Sequence, residues 1–168
     1  IFIFSLPRAG STMLQRIIGG SEYVSYTSEP WVLLPLFYTT KCNGIISEYN
    51  HKKYVEGAGH FVNSMPLGMQ SLKSIMVESA TKMYSMAASN QAKYFIDKTP
   101  RYHFIVEEIL ENFHDAKFIF LWRNPLAVYA SCLETWCSGK WGLKHFERDI
   151  YQGTENLVNA YQKYKDIS

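Results

Sequence analysis

Apolar residues along this chain follow two rhythms: short unbroken runs, and longer stretches spaced at three and four positions. Ile1–Leu6 is a nearly all-apolar run of β-branched and aromatic residues, the pattern of a strand buried on both faces. Ser11–Ile18 follows with Met13, Leu14, Ile17 and Ile18 at helical spacing, closed by Gly19-Gly20. Tyr23–Tyr26 reads as a second strand, and Trp31–Tyr38 as a helix behind Pro30, a residue suited to a first turn. Residues 39–66 carry loop signals at Asn43-Gly44, Gly57, Gly59 and Pro66 around a helix near 50–63. Met69, Leu72, Ile75, Met76, Ser79, Ala80 and Met83 predict a long helix over Leu67–Ser89. Tyr94–Ile96 is a third strand, Tyr102–Phe113 a helix, and Lys117–Trp122 a fourth strand. Pro125–Trp136 and an amphipathic Leu143–Tyr164, broken near Gly153, complete the helices. This alternation predicts the α/β class: a parallel sheet flanked by helices.

Composition narrows the picture. A chain of 168 residues, 47% hydrophobic, can bury one substantial core, so a single domain is expected. Seventeen basic against 15 acidic side chains leave a formal charge of +2, too balanced to point to nucleic acid or a membrane surface. No apolar run has the length of a membrane span. Cys42, Cys132 and Cys137 have no metal-ligand spacing, and their odd number argues for free thiols in a reducing, cytoplasmic compartment. The chain opens inside a strand pattern and stops in a polar helical one, so a fragment lacking its C-terminal part is expected.

Chemistry collects where strands end. After the first strand comes Ser5-Leu6-Pro7-Arg8-Ala9-Gly10-Ser11-Thr12. Small residues let backbone N–H groups approach an anion, the next helix points its positive end there, and Arg8 adds a forked cation. The same segment also fits an ordinary turn capped by Ser11. It lacks the Gly-Lys-Ser/Thr ending of the nucleoside-triphosphatase loop and the three glycines of dinucleotide sites. After the fourth strand comes Trp122-Arg123-Asn124-Pro125, with Ser131 about two turns into the next helix. Arg123 sits at the ligand-binding edge of a parallel sheet, or pairs with a surface carboxylate. After the third strand comes Asp97-Lys98-Thr99-Pro100-Arg101, where Lys98 can bring a cation to the same edge or form a loop charge pair.

These three segments, within residues 1–137, resemble the sulfotransferase family that uses 3′-phosphoadenosine 5′-phosphosulfate (PAPS), with its P-loop NTPase-like fold. The resemblance implies that Pro7, Arg8, Ala9, Gly10, Ser11, Thr12 and Met13 cradle the 5′-phosphosulfate, while Arg123 and Ser131 hold the 3′-phosphate. The chain is more similar to the carbohydrate and tyrosylprotein branch than to the aryl branch, which usually has a Lys in the first loop and a His base. Carried over from that branch, Glu29 in Ser28-Glu29-Pro30 is the base, and Lys98, with Arg8, stabilises the transferring group and leaving oxygen. The cysteines that staple these two loops in the secreted enzymes are absent; Tyr26, Thr27, Ser28, Ile96 and Asp97 stand there instead. Among the histidines only His103, near Lys98, competes as a base; His51, His60, His114 and His145 read as surface or helix residues. No metal is implied.

Residues 31–92 are expected to form a helical acceptor-side insertion, with Phe37, Tyr38, Tyr54, Phe61, Met65, Met69 and Met76 lining an apolar wall or packing a core. That composition favours a small-molecule hydroxyl acceptor of lipid-like or polyketide-like character over a carbohydrate. Two rivals stand beside transfer: a P-loop-type nucleotide kinase, and a non-catalytic nucleotide-binding module. The kinase would need a Lys where Met13 follows Thr12.

Overall fold

The computed structural model describes residues 1–142, 144 and 146–165. Two compact units are present: Ile1–Pro30 with Ala87–Ser168, and Trp31–Met86. The first holds β1 (Phe2–Phe4), α1 (Ser11–Ile18), β2 (Val24–Tyr26), β3 (Tyr94–Ile96), α5 (Val106–Asn112), β4 (Phe118–Phe120), α6 (Pro125–Trp136) and α7 (Gly153–Tyr164). The second holds α2 (Leu33–Tyr38), α3 (His51–Asn63) and α4 (Met69–Ala87). The fold is α/β with parallel strands, as the alternating pattern predicts.

β1 pairs in parallel with β4, Phe2 opposite Phe118 and Phe4 opposite Phe120. β2 pairs in parallel with β3, Val24 opposite Tyr94 and Tyr26 opposite Ile96. A parallel bridge between Phe2 and Asp97 joins the two pairs, so the strands lie in the order β2-β3-β1-β4. Phe2, Ile3 and Phe4 are all buried, which explains the unbroken apolar run of β1. Their rings build a ladder: Phe4 stacks on Phe118 at 6.0 Å between centroids, and Phe2 meets Phe113 edge-on at 5.0 Å. Ile96, Ile109, Val128, Leu157 and Ala160 complete this core.

The expected helix over Tyr102–Phe113 is two pieces: a 3₁₀ turn, Pro100–Phe104, and α5, parted at Ile105 with φ of −136°. Two side-chain ties hold the 3₁₀ turn apart from α5: Tyr102 OH donates to Asp97 Oδ2 at 2.7 Å, and the buried His103 ring has its Nε2 3.2 Å from Asp149 Oδ1. The expected last helix starts at Leu143, outside the described residues, as does His145. Within them a π-helical turn, Arg148–Gln152, leads into α7 at Gly153. A Cβ at Gly153 would lie 3.0 Å from Leu6 Cδ2 and 3.2 Å from His103 Nε2, so any larger residue there would require those neighbours to give by a few tenths of an ångström.

In the second unit, Asn50 takes a left-handed conformation (φ 52°), and its side chain accepts from Lys53 N–H to cap α3. The His51 ring is buried and its Nε2 lies 3.0 Å from Lys41 O. Phe37 and Met76 are buried core residues, whereas Tyr54, Phe61 and Met69 are exposed. No helix among the described residues is long and apolar enough to cross a membrane.

The Phe ladder generates a stability prediction. Phe4→Ala should cost about 3–5 kcal/mol, read as a lowered urea midpoint at unchanged slope. Met13→Ala, at an exposed position, should leave the midpoint within error.

Candidate functional site

Because every pairing is parallel, the loops after β1, β2, β3 and β4 leave the sheet at one common edge. Such an edge is where open α/β sheets place their ligands. The loop after β1 is a tight cradle. Arg8 (φ 62°) and Gly10 (φ 97°) are both left-handed and flank the buried Ala9, whose N–H donates to Leu6 O at 3.3 Å. Glycine adopts this conformation freely; in Arg8 it costs roughly 1 kcal/mol, so the surroundings must hold it. Met13 and Leu14 N–H groups both return to Gly10 O. Among the described residues the N–H groups of Gly10, Ser11 and Thr12 have no acceptor, as first-turn helix donors commonly do not. Pro7 and Ser11 are buried beneath it, while Thr12 and Met13 are exposed.

Arg8, Arg123 and Ser131 come together across the β1–β4 junction. Arg8 Nε donates to Ser131 Oγ at 3.2 Å, and Arg123 Nη1 donates to Arg8 O at 2.7 Å. Arg123 therefore clasps the cradle loop and, among the described residues, has no carboxylate partner. The Asn124 side chain accepts from Leu126 N–H and caps α6, which carries Ser131. Burial pushes the neighbouring Cys132 thiol up, against the pull of the Arg8 charge.

At the ends of β2 and β3, Lys98 Nζ lies 2.8 Å from Glu29 Oε1. Lys98 is almost fully buried (3% exposed) and Glu29 is one-third exposed (32%), so the lysine reaches up from below and the carboxylate meets solvent. Two supports hold this pair. The buried Gln15 of α1 donates from Nε2 to Thr27 O at 2.9 Å, fixing the backbone two residues before Glu29. Asp97, 1% exposed, accepts from Thr99 Oγ1 at 2.9 Å and from Tyr102 OH at 2.7 Å, which locks the turn that carries Lys98. The Asp97-Lys98-Thr99 order was the signal for the second support; Gln15, a polar residue in an apolar helix, gave none.

His103 is not at this edge chemistry's disposal. It is fully buried, and its Nε2 lies 3.2 Å from Asp149 Oδ1 in the π-helical turn. Arg101 Nη2 takes the other Asp149 oxygen at 2.9 Å. Burial pushes the Asp149 carboxyl up, but the His103 hydrogen bond and the Arg101 charge outweigh it and hold the group below its ordinary value.

A model of the Sulfotransferase family matches residues 1–167 of the chain. Nodulation protein NoeE of Sinorhizobium fredii (strain NBRC 101917 / NGR234) is 27% identical over 139 residues, covering 80% of this chain and 31% of that protein. The chain thus spans about a third of the length of this curated relative. No solved structure matches it.

The Asp149 cluster makes a pH prediction. A carboxyl held low in the folded state stabilises it above its unfolded pKa, and the contribution fades as pH falls below about 4. Asp149→Asn should melt several degrees lower at pH 7, with a flatter loss of stability below pH 4 than the parent. Parallel acid limbs in the two proteins would contradict this.

Proposed function

The chain belongs to the sulfotransferase family, and on that premise we propose that it transfers a sulfuryl group from PAPS to a hydroxyl acceptor. One observation carries the reading: the Arg8–Ser131–Arg123 cluster and the Lys98–Glu29 pair stand at the same edge of one parallel sheet. The first is an anion-holding set and the second an acid–base set.

The residues fit the donor's chemistry. A bisphosphate nucleotide needs two anion sites, and the loop donors at Gly10–Thr12 and the Arg123–Ser131 cluster provide them from adjacent strands. When bound, the donor supplies a sulfuryl group already activated on a good leaving group. The chain's work is then positioning and charge stabilisation, as in phosphoryl transfer. Glu29 accepts the proton of the acceptor hydroxyl at its solvent-exposed carboxylate. Lys98 uses one ammonium donor on Glu29 and keeps two others for the charge that builds on the bridging oxygen. Arg8 adds positive field from the loop. Sidedness follows from burial, with a fixed cation below and a wet base above.

The kinase alternative meets a specific obstacle. Its metal would need a carboxylate at a strand end, and Asp97 occupies that place after β3. Both Asp97 oxygens already accept hydroxyl hydrogen bonds, and the residue is buried. For the acceptor, the Tyr-, Phe- and Met-rich composition of segment 31–92 supports an apolar-bodied alcohol over a simple sugar.

Glu29→Gln should keep affinity for 3′-phosphoadenosine 5′-phosphate (PAP) within about twofold and lower labelled sulfuryl transfer about 10²–10⁴-fold. Normal turnover in that variant removes Glu29 as the base. In an acceptor screen, acyl-chain alcohols should be labelled ahead of simple sugars; labelled sugars with unlabelled alcohols would reverse the acceptor assignment.

A further inference from the structure

Arg123 is fixed from both sides before it makes any contact of its own. The β1–β4 ladder continues one step past the strand, with Leu121 N–H donating to Phe4 O at 2.9 Å, and Asn124 is held as the cap of α6. Between these two points the guanidinium reaches the cradle loop and donates from Nη1 to Arg8 O at 2.7 Å, a short charge-assisted bond. The carbonyl it grips belongs to the one non-glycine residue of that loop with a left-handed backbone, Arg8 at φ 62°. That conformation is disfavoured in isolation and persists only where neighbours over-determine it. The Arg8 side chain is tied at its other end, through Nε to Ser131 Oγ.

We propose that Arg123 is a positioning residue for the 5′ side of the donor as well as a ligand for its 3′-phosphate. Holding Arg8 O keeps the Gly10–Thr12 donors in their anion-binding arrangement, so the two ends of the nucleotide are read together. A guanidinium has five donors in a rigid fork, so one can stay on the carbonyl while others meet an anion. A lysine in its place keeps the charge and loses the fork. This inference rests on the PAPS reading and extends it. It separates two roles that substitution of Arg123 would otherwise confound.

The test uses two nucleotides on the full chain at 0.15 M salt: PAP, and adenosine 5′-phosphosulfate, which has no 3′-phosphate. Competition binding is measured for the parent, Arg123→Gln and Arg123→Lys. Positioning predicts that Arg123→Gln weakens adenosine 5′-phosphosulfate about five- to tenfold, although that ligand offers Arg123 no phosphate to bind. It also predicts that Arg123→Lys recovers less than half of this loss. In the nucleotide-free protein, the amide resonances of Gly10 and Ser11 should shift in both variants. Unchanged affinity for adenosine 5′-phosphosulfate, with loss confined to PAP, leaves Arg123 a 3′-phosphate ligand only and overturns the proposal. Full recovery by Arg123→Lys reduces its effect to charge and overturns it equally. If the parent binds neither nucleotide, the PAPS reading itself fails and this inference falls with it.

Discussion

One buried carboxylate joins the sheet to the chemistry at its edge. The Asp97 backbone bridges β3 to β1, donating to Ile1 O at 2.9 Å and accepting from Ile3 N–H at 3.1 Å. Its side chain, sealed from solvent, accepts from Thr99 and Tyr102. Burying a carboxylate is costly unless its oxygens are satisfied, so the turn from Asp97 to Tyr102 must take one conformation. Lys98 lies inside that turn. The same contacts that merge two strand pairs into one parallel sheet therefore present the lysine to Glu29. Gln15 acts from the other side, tying the helix behind the cradle loop to the strand end that leads to Glu29.

The charged groups fall into two physical classes. Lys98 and Asp97 are buried and hydrogen-bonded, so their geometry is set by the fold and their loss exposes an unpaired partner. Arg8 and Arg123 are exposed, and pairings of exposed charges contribute little to stability. Such groups can exchange their internal contacts for those of a charged ligand at small cost. A site for a polyanion that must enter and leave needs the second class at the nucleotide and the first at the reacting atoms. His103, Arg101 and Asp149 form a third cluster that anchors the π-helical turn ahead of α7 to the 3₁₀ turn beyond Lys98. The close approach at Gly153 belongs to the same packing.

Much of this was legible in residue order. β1 was visible because burial on both faces makes it apolar without interruption, and Pro125 marked the start of α6 as it stands. The strand cores are shorter than the apolar runs, since Ser5 and Leu6 stay buried and Leu121 adds one ladder bond after regular pairing ends. The break at Ile105 was hidden because Tyr102–Phe113 also satisfies a helical count, while the ties of Tyr102 to Asp97 and of His103 to Asp149 leave no local pattern. Long-range polar contacts were invisible for a simpler reason. Arg8 and Ser131 are separated by 123 positions, and Lys98 and Glu29 by 69, so no local pattern records that they meet. The resemblance to sulfotransferases named these residues together, and the sheet explains why they stand at one edge. Phe37 and Met76, eligible for either wall or core by spacing, were decided by burial alone.

A sheet edge built for an adenosine bisphosphate should show itself in calorimetric titration of the chain with PAP and with ATP: saturable binding of PAP, with ATP markedly weaker. Binding of ATP without binding of PAP would contradict it.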